Sequence, residues 1–403
     1  MKIYLVGGAV RDEALQRPVS ERDWVVVGGT PAQLFAQGYT QVGRDFPVFL
    51  HPTTHEEYAL ARTERKLGSG YTGFTCDFNP HVTLEEDLAR RDLTINAMAK
   101  DDHGVLVDPY HGMRDLAAKQ LRHVSPAFVE DPVRVLRVAR FAARYHHLGF
   151  TLADETRELM YAMVRRQELV HLVPERVRQE WQGALTERHP WVFLSVLRTC
   201  GALRVILPEL DAMFGIPNPA HACFDIDAGK GMFRRLARAA ALSVDPVIRF
   251  AALLVDLGKA LTPMNDWPFH PGYEACSERV INDLCGRLRI PNEYRELAGL
   301  SARFQVQIRQ GVRLGALCIV SVLEQTDAFR RPLRFDAVLT VCEAYGQDDQ
   351  LRMQWLHLLD VCCQVSVKEL VEQYKGEAIK RALQERRIAS VELELNRWVV
   401  NEE

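Results

Sequence analysis

A chain of 403 residues is too long for one hydrophobic core and is expected to divide into about two to four domains. With 47% hydrophobic and 26% charged residues it has ordinary globular composition, and no apolar run approaches the roughly 18 residues that a membrane span needs. The formal net charge of -3 excludes a globally basic protein, so any surface for a polyanion must be local.

The 9 cysteines show no paired metal-ligand spacing, which suits reduced thiols in a cytoplasm. Met1-Lys2-Ile3-Tyr4-Leu5 leads straight into the first motif, which argues against a signal peptide.

Residues 1 to about 125 alternate short β-rich runs (KIYLVGG, DWVVVG, PVFLH, EYALAR, VLVDPY) with helical or loop stretches. From about Asp131 onward the strand signals fade, and segments such as DPVRVLRVARFAARYHHLGF and PERVRQEWQGALTER carry the period of amphipathic helices. The reading is an α+β protein: a small mixed α/β head followed by a long all-α remainder. Breaks are expected near 145–150, 215–223 and 330, where Pro, Gly or loop residues interrupt.

The stretch LVGGAVRDEALQRPVSERDWVVVGG, residues 5 to 29, carries the first chemistry. Glu21 and Asp23 stand two residues apart before an apolar Val25-Val26-Val27 run, so on one strand both would share a face. Paired carboxylates at the end of a buried strand suit one or two Mg²⁺ ions that hold triphosphate oxygens. Gly7 and Gly8 let backbone amides approach a phosphate, and Arg11 is expected to begin a helix whose N-terminus faces the same place. The bland alternative is a glycine turn followed by a surface charge run.

Further along, RRDLTINAMA offers Arg90, Arg91 and Asp92 at an expected helix start. In EDPVRVLRVARFAARY, Asp131 could cap a helix with Pro132 in its first turn. Arg134, Arg137, Arg140 and Arg144 then fall within roughly a third of the helix circumference, opposite Val135, Val138, Ala139 and Ala142. A solvated basic face would explain the stripe. The lack of interspersed acids instead asks for an anionic partner.

Taken together, LVGGAVRD…RDWVVVG, EEYALARTERKLGSGYTGFT, LARRDLTINAMA, DPYHGMRDL, EDPVRVLRVARFAARY and PERVRQEWQGAL resemble, in order, the motifs of the class II tRNA nucleotidyltransferase and bacterial poly(A) polymerase family. That family is a branch of the polymerase-β-like nucleotidyltransferases, and the resemblance covers roughly residues 1 to 185; the helical remainder resembles bacterial CCA-adding enzymes more weakly. It implies a nucleotidyltransferase head (1–128), a helical neck for nucleotide selection and tRNA binding (129–215), an HD-like helical body (216–330) and a tRNA-binding tail (331–403).

The implied activity is template-independent addition and repair of the 3′ CCA of tRNA from CTP and ATP, with release of pyrophosphate. The implied catalytic and metal residues are Glu21 and Asp23, with Mg²⁺ as cofactor. Where the family carries Asp-x-Asp this chain has Glu21-x-Asp23, and the extra methylene shifts the glutamate oxygens. Glu57 is either a third catalytic carboxylate or a solvated strand acid. Gly8, Arg11, Arg91, Arg137 and Arg140 would hold the nucleotide, while Asp131 and Arg134 would read its base, with Glu130 bracing Arg134.

That base reading has a chemical logic. Arginine donates to cytosine acceptors or adenine N1, and aspartate accepts from the exocyclic amine of either base. Uracil and guanine present a carbonyl there, so an acceptor would face an acceptor. The segment 62–75, RTERKLGSGYTGFT, resembles the loop that family members use to switch from C to A addition.

Many bacterial relatives carry an HD phosphohydrolase site signed by HDLGK. Here the segment reads VDLGK: Val255 replaces the His and only Asp256 remains, while Gly231, Pro271, Tyr273 and Gln305 stand at the other expected ligand positions. A valine cannot ligate a metal, so no phosphohydrolase activity is expected. His270 is read as a surface or packing histidine. Arg165-Arg166, Arg176-Arg178 and Arg234-Arg235 are candidate contacts to tRNA phosphates. A monomer is favoured. Competing readings are a poly(A) polymerase, a CC-only or A-only enzyme, and an inactive RNA-binding scaffold.

Overall fold

The computed structural model describes residues 1–42, 48–66, 74–219, 225–346 and 350–401. The chain forms two compact units, Met1–Ile206 and Leu207–Glu403. No helix among the described residues is long and apolar enough to cross a membrane.

The first unit carries strands β1 (Lys2–Val6), β2 (Asp23–Val27), β3 (Thr40–Gln41), β4 (Val48–Leu50), β5 (Glu57–Leu60), β6 (Thr63–Lys66), β7 (Phe74–Asp77), β8 (Ala99–Lys100), β9 (Leu106–Val107), β10 (Gln120–Leu121) and β11 (Thr151–Leu152). Its helices include α1 (Gly8–Ala14), α2 (Pro31–Ala36), α3 (Leu84–Ala89), α4 (Gly112–Ala118), α5 (Val133–Tyr145), α6 (Asp154–Arg165), α7 (Pro174–Thr186) and α8 (Pro190–Thr199). A seven-stranded mixed sheet runs in the order β3-β4-β5-β2-β1-β8-β9. β2 pairs antiparallel with β1 and parallel with β5, at the centre of the sheet.

The uninterrupted Val25-Val26-Val27 run follows from this central place, because a strand covered on both faces has no polar side. Val25 packs with Val6, Val82, Leu84 and Leu88 on one face, and Val26 packs with Leu34, Phe49, Tyr58 and Leu60 on the other. The α2 and α3 starts are fixed by capping boxes, Thr30 with Gln33 and Thr83 with Glu86.

Several local expectations change. Glu21 lies ahead of β2, which begins at Asp23, so the two acids do not share a strand. Arg11 sits in the last turn of α1, not at its start. Arg90, Arg91 and Asp92 follow the end of α3 rather than opening a helix; Arg90 is the C-cap, and a short 3-10 turn, Thr94–Asn96, comes next. β6 and β7 pair antiparallel, and residues 67–73 of the expected switching loop lie outside the described residues.

The described residues of the second unit form helices and one isolated bridge, Pro217 to Asp227. The helices Pro246–Leu254 and Asn292–Gln310 pack together in its interior, with Phe250 edge-on to Tyr294 at 5.4 Å.

Candidate active site

The β1–β2–β5 register sets Val6 opposite Asp23 and Asp23 beside Glu57 at one end of the sheet. Neighbouring residues in adjacent strands project to the same side, so these two carboxylates share a face. Burial pushes the Asp23 carboxyl above its ordinary range; the Arg91 guanidinium opposes that rise, and the charge of Glu21 adds to it. Among the described residues, no hydrogen bond or ion pair reaches the carboxylates of Glu21, Asp23 or Glu57. All three residues are exposed at this end of the sheet, and like charges gathered without partners are stabilised by a cation. No group of three or more His, Cys, Asp or Glu side chains among the described residues is gathered closely enough to hold a metal. Glu21, Asp23 and Glu57 line one cavity without closing into a metal cage.

The turn after β1 brings up the cations. Gly7 adopts φ +67, and a Cβ built there would lie 2.8 Å from Arg91 Nη1. Only glycine combines that backbone with that close approach. Arg91 Nη2 donates to Asp87 Oδ2 at 3.3 Å, and Arg90 Nη2 donates to Asp87 Oδ1 at 2.7 Å. Burial alone would raise the Asp87 carboxyl, but Arg90 and Arg91 outweigh it and hold it below the usual range. Arg11 is 3% exposed, with its fork on both carboxylate oxygens of Asp12, a further bond to Asn96 and its guanidinium over Phe141 and Tyr145. Its charge ties α1 to α5.

The arginine stripe of α5 finds its counter-charges within the protein. Arg137 Nε donates to Asp92 Oδ2 at 2.7 Å, Arg140 Nε to Glu180 Oε2 at 2.6 Å and Arg144 Nε to Glu187 Oε1 at 2.8 Å. Arg134 donates instead to the carbonyls of Ala127 and Arg90. The absence of acids on α5 itself is thus met by Asp92 after α3, Glu180 of α7 and Glu187 at the end of α7, and did not by itself require an external anion. The terminal nitrogens of Arg140 still have no partner among the described residues.

Asp131 is extended, just ahead of α5, and accepts the Val133 N–H at 3.2 Å. The cap is therefore present, one residue earlier than the assigned N-cap Pro132. The same carboxylate is gripped by Arg176 of α7.

All of these elements open onto one cavity of about 630 Å³ lined by Gly8, Arg11, Glu21, Asp23, Glu57, Arg91, Asp131, Arg134, Arg137 and Arg140, the whole set expected from sequence. Asp92, Asn96 and Arg176 also line it. Asp87, Glu180 and Asn96 were not anticipated. A signal for Glu180 existed in its i+4 spacing from Arg176, which places both on one face of α7.

The family model described as "Poly A polymerase head domain" matches residues 3–122, and that described as "Probable RNA and SrmB- binding site of polymerase A" matches residues 149–214. The multifunctional CCA protein of Legionella pneumophila strain Paris is 56% identical over 409 residues, covering 100% of both chains. The chain belongs to the CCA-adding tRNA nucleotidyltransferase family.

Solved relatives agree in fold. A Thermotoga maritima CCA-adding enzyme complexed with tRNA superposes with TM-score 0.66 at 19% identity, covering 100% of this chain and 92% of the other. The Bacillus stearothermophilus CCA-adding enzyme in complex with CTP gives 0.63 at 23% identity, covering 97% and 89%. Nucleotidyltransferases of this kind work with a divalent metal.

In this CCA-family chain the second unit departs from a metal site in a specific way. Asp256 is buried; its Oδ2 accepts from Arg235 Nη1 at 2.8 Å and Lys259 Nζ at 3.1 Å, and its Oδ1 accepts from Tyr345 Oη at 2.7 Å. Burial would raise this carboxyl, but Arg235 and Lys259 hold it well below the usual range. Two side-chain cations thus neutralise the buried aspartate. Arg235 is 5% exposed, which removes it from the candidate tRNA contacts. His270 is a buried packing residue, bonded to Thr262 Oγ1 and the Pro217 carbonyl.

Proposed function

We propose that this enzyme completes and repairs the 3′ CCA end of tRNA from CTP and ATP in the cytoplasm, with Mg²⁺ as its metal. The observation that carries the residue assignments is the single cavity in which a strand-end acid pair faces the cations of the Gly7 turn and of α5. Full-length relatives named multifunctional CCA proteins, and structural relatives complexed with CTP and with tRNA, support the substrates.

In this reading Glu21 and Asp23 hold Mg²⁺, with Glu57 beside them. When bound, the metal would lower the pKa of the tRNA 3′-hydroxyl and steady the leaving pyrophosphate. Gly8 leaves room for phosphate against the backbone, and Arg91, Arg137 and Arg140 bind the triphosphate. Arg11 acts through packing as much as through charge, since its fork is already engaged. Asp131 and Arg134 select the base by accepting from the amine and donating to the ring acceptors of C or A. The α/β head up to residue 128 supplies the chemistry, residues 129–215 the nucleotide selection, and the helices beyond them a scaffold for the acceptor arm, recognised by shape.

The test is extension of tRNA transcripts ending before CCA, after C and after CC, with CTP, ATP, UTP or GTP singly and together, followed by 3′-end sequencing. Clean CCA completion is expected. Arrest at CC, extension only from CC, or long A tails would replace this reading with that of a specialist or a poly(A) polymerase. No extension by the wild-type chain together with nucleotide-independent tRNA binding would make it a scaffold.

A further inference from the structure

We propose that Arg176, on α7, is the positioning residue that sets base selectivity by fixing the Asp131 carboxylate. The proposal rests on the reading of Asp131 as the acceptor for the nucleobase amine.

Arg176 Nη1 donates to Asp131 Oδ1 at 2.9 Å and Nη2 donates to Oδ2 at 2.7 Å, a fork-to-fork pair reaching from α7 to the residue ahead of α5. Oδ1 also accepts the Val133 N–H at 3.2 Å. Both partners line the nucleotide cavity. An ionised carboxylate has about four acceptor positions. Three are filled by these donors, two of them on Oδ1, so one remains, on Oδ2. A single leftover acceptor suits one N–H of an exocyclic amine, as cytosine and adenine present.

The fork does what a lone aspartate could not: it stops the carboxylate turning aside, so a carbonyl of uracil or guanine meets an acceptor with nowhere to go. Lysine would hold the charge but not the plane, because one ammonium cannot span both oxygens in the same geometry. Arg176 therefore serves the site through Asp131. As a surface contact to tRNA phosphate, the reading its sequence position invited, it would have to leave this pair.

The experiment measures kcat/KM for CTP, ATP, UTP and GTP on matched tRNA ends with the full-length Arg176→Gln, Arg176→Lys and Asp131→Ala enzymes, alongside their melting temperatures. The expected result is a fall in the CTP-to-UTP and ATP-to-GTP ratios of about ten- to a hundredfold in Arg176→Gln, a smaller fall in Arg176→Lys, and loss of the ratio in Asp131→Ala. A contact that merely supports the fold would lower all nucleotides together and leave the ratios at the wild-type level, which overturns the proposal. If Arg176→Gln does not fold, Arg176→Lys decides by the same ratio. Lost selectivity in Asp131→Ala with wild-type ratios in both Arg176 variants removes the positioning role alone. Wild-type ratios in Asp131→Ala remove the base-reading role, and the positioning role with it.

Discussion

Arg137 Nε donates to Asp92 Oδ2 at 2.7 Å, and the other oxygen of Asp92 accepts from Asn96 Nδ2 at 2.9 Å. Burial by itself would raise the Asp92 carboxyl. The Arg137 guanidinium and the bonds from Asn96 and the Leu93 N–H reverse that and hold it well below the usual carboxylate range. Because the folded value is depressed, the stability it contributes is present above the ordinary aspartate range near pH 4. It is lost progressively as pH falls below that. Asp92→Asn is expected to cost about 1.5–3 kcal/mol at neutral pH, the worth of a hydrogen bond to a charged group. It should also flatten the decline of stability below about pH 4. Denaturant unfolding across that pH range checks both, and an unchanged acid slope would remove Asp92 from the account.

The acid pair should trade stability for function. Asp23 is exposed at the end of β2, yet desolvation by its surroundings pushes its carboxyl up, and Glu21 adds repulsion. Asp23→Asn relieves that desolvation and repulsion, so the metal-free variant is expected to melt slightly above the wild type at neutral pH. Its nucleotide addition should fall by roughly a hundredfold or more, the kinetic equivalent of several kcal/mol of lost charge stabilisation. Mg²⁺ with a nonhydrolysable nucleotide should raise the melting temperature of the wild type and not of the variant. Glu21→Asp is the complementary protein: if glutamate has been accommodated by the backbone ahead of β2, shortening it lowers the rate, and a gain in rate would mean that the longer side chain is a handicap.

What could be read from sequence was what is local. The Gly7-Gly8 turn, the apolar central strand and the same-face spacing of Arg134 to Arg144 are properties of short segments, and the structure keeps each of them. What could not be read was pairing over distance. Arg140 meets Glu180 and Arg176 meets Asp131 across 40 and 45 residues, and nothing in either segment names its partner. The stripe looked uncompensated only because its acids sit on other segments, Asp92 after α3 and Glu180 and Glu187 in and just beyond α7. Arg234 and Arg235 look alike in sequence, yet one is exposed and the other buried on Asp256. The misplaced helix start at Arg90 was legible, since Thr83 and Glu86 spell a capping box one turn or more upstream. Glu21 fell outside β2 because strand length is set by pairing with β1, which ends at Val6 opposite Asp23.

Asp256 is expected to be structural. Its carboxylate offsets the buried charges of Arg235 and Lys259, so Asp256→Ala strands two cations in the interior and should cost about 3–5 kcal/mol. Divalent metal should not raise the stability of the wild-type second unit, because Arg235 and Lys259 already fill the carboxylate's surroundings. Assays of 2′,3′-cyclic phosphodiesterase and phosphatase activity on pure protein with added metal ions are expected to show no turnover. Turnover that disappears in a folded Asp256 variant would contradict this reading.

Binding of tRNA should weaken steeply with salt despite the chain's net charge of -3, because local arginines and not the global charge meet the phosphates. Arg165 and Arg166 are exposed at the end of α6, and Arg234 is exposed although paired with Asp225 at 3.4 Å. Neutralising a real phosphate contact lowers the slope of log affinity against log salt by about one. Arg165→Gln with Arg166→Gln should therefore weaken binding of all tRNAs alike and flatten that slope, while leaving the CTP-to-UTP ratio untouched. Arg235→Gln should instead destabilise the fold, since its partner is the buried Asp256. Filter binding over a salt series, read beside melting curves, separates the two: a slope unchanged in the Arg165/Arg166 variant would move the tRNA path off α6.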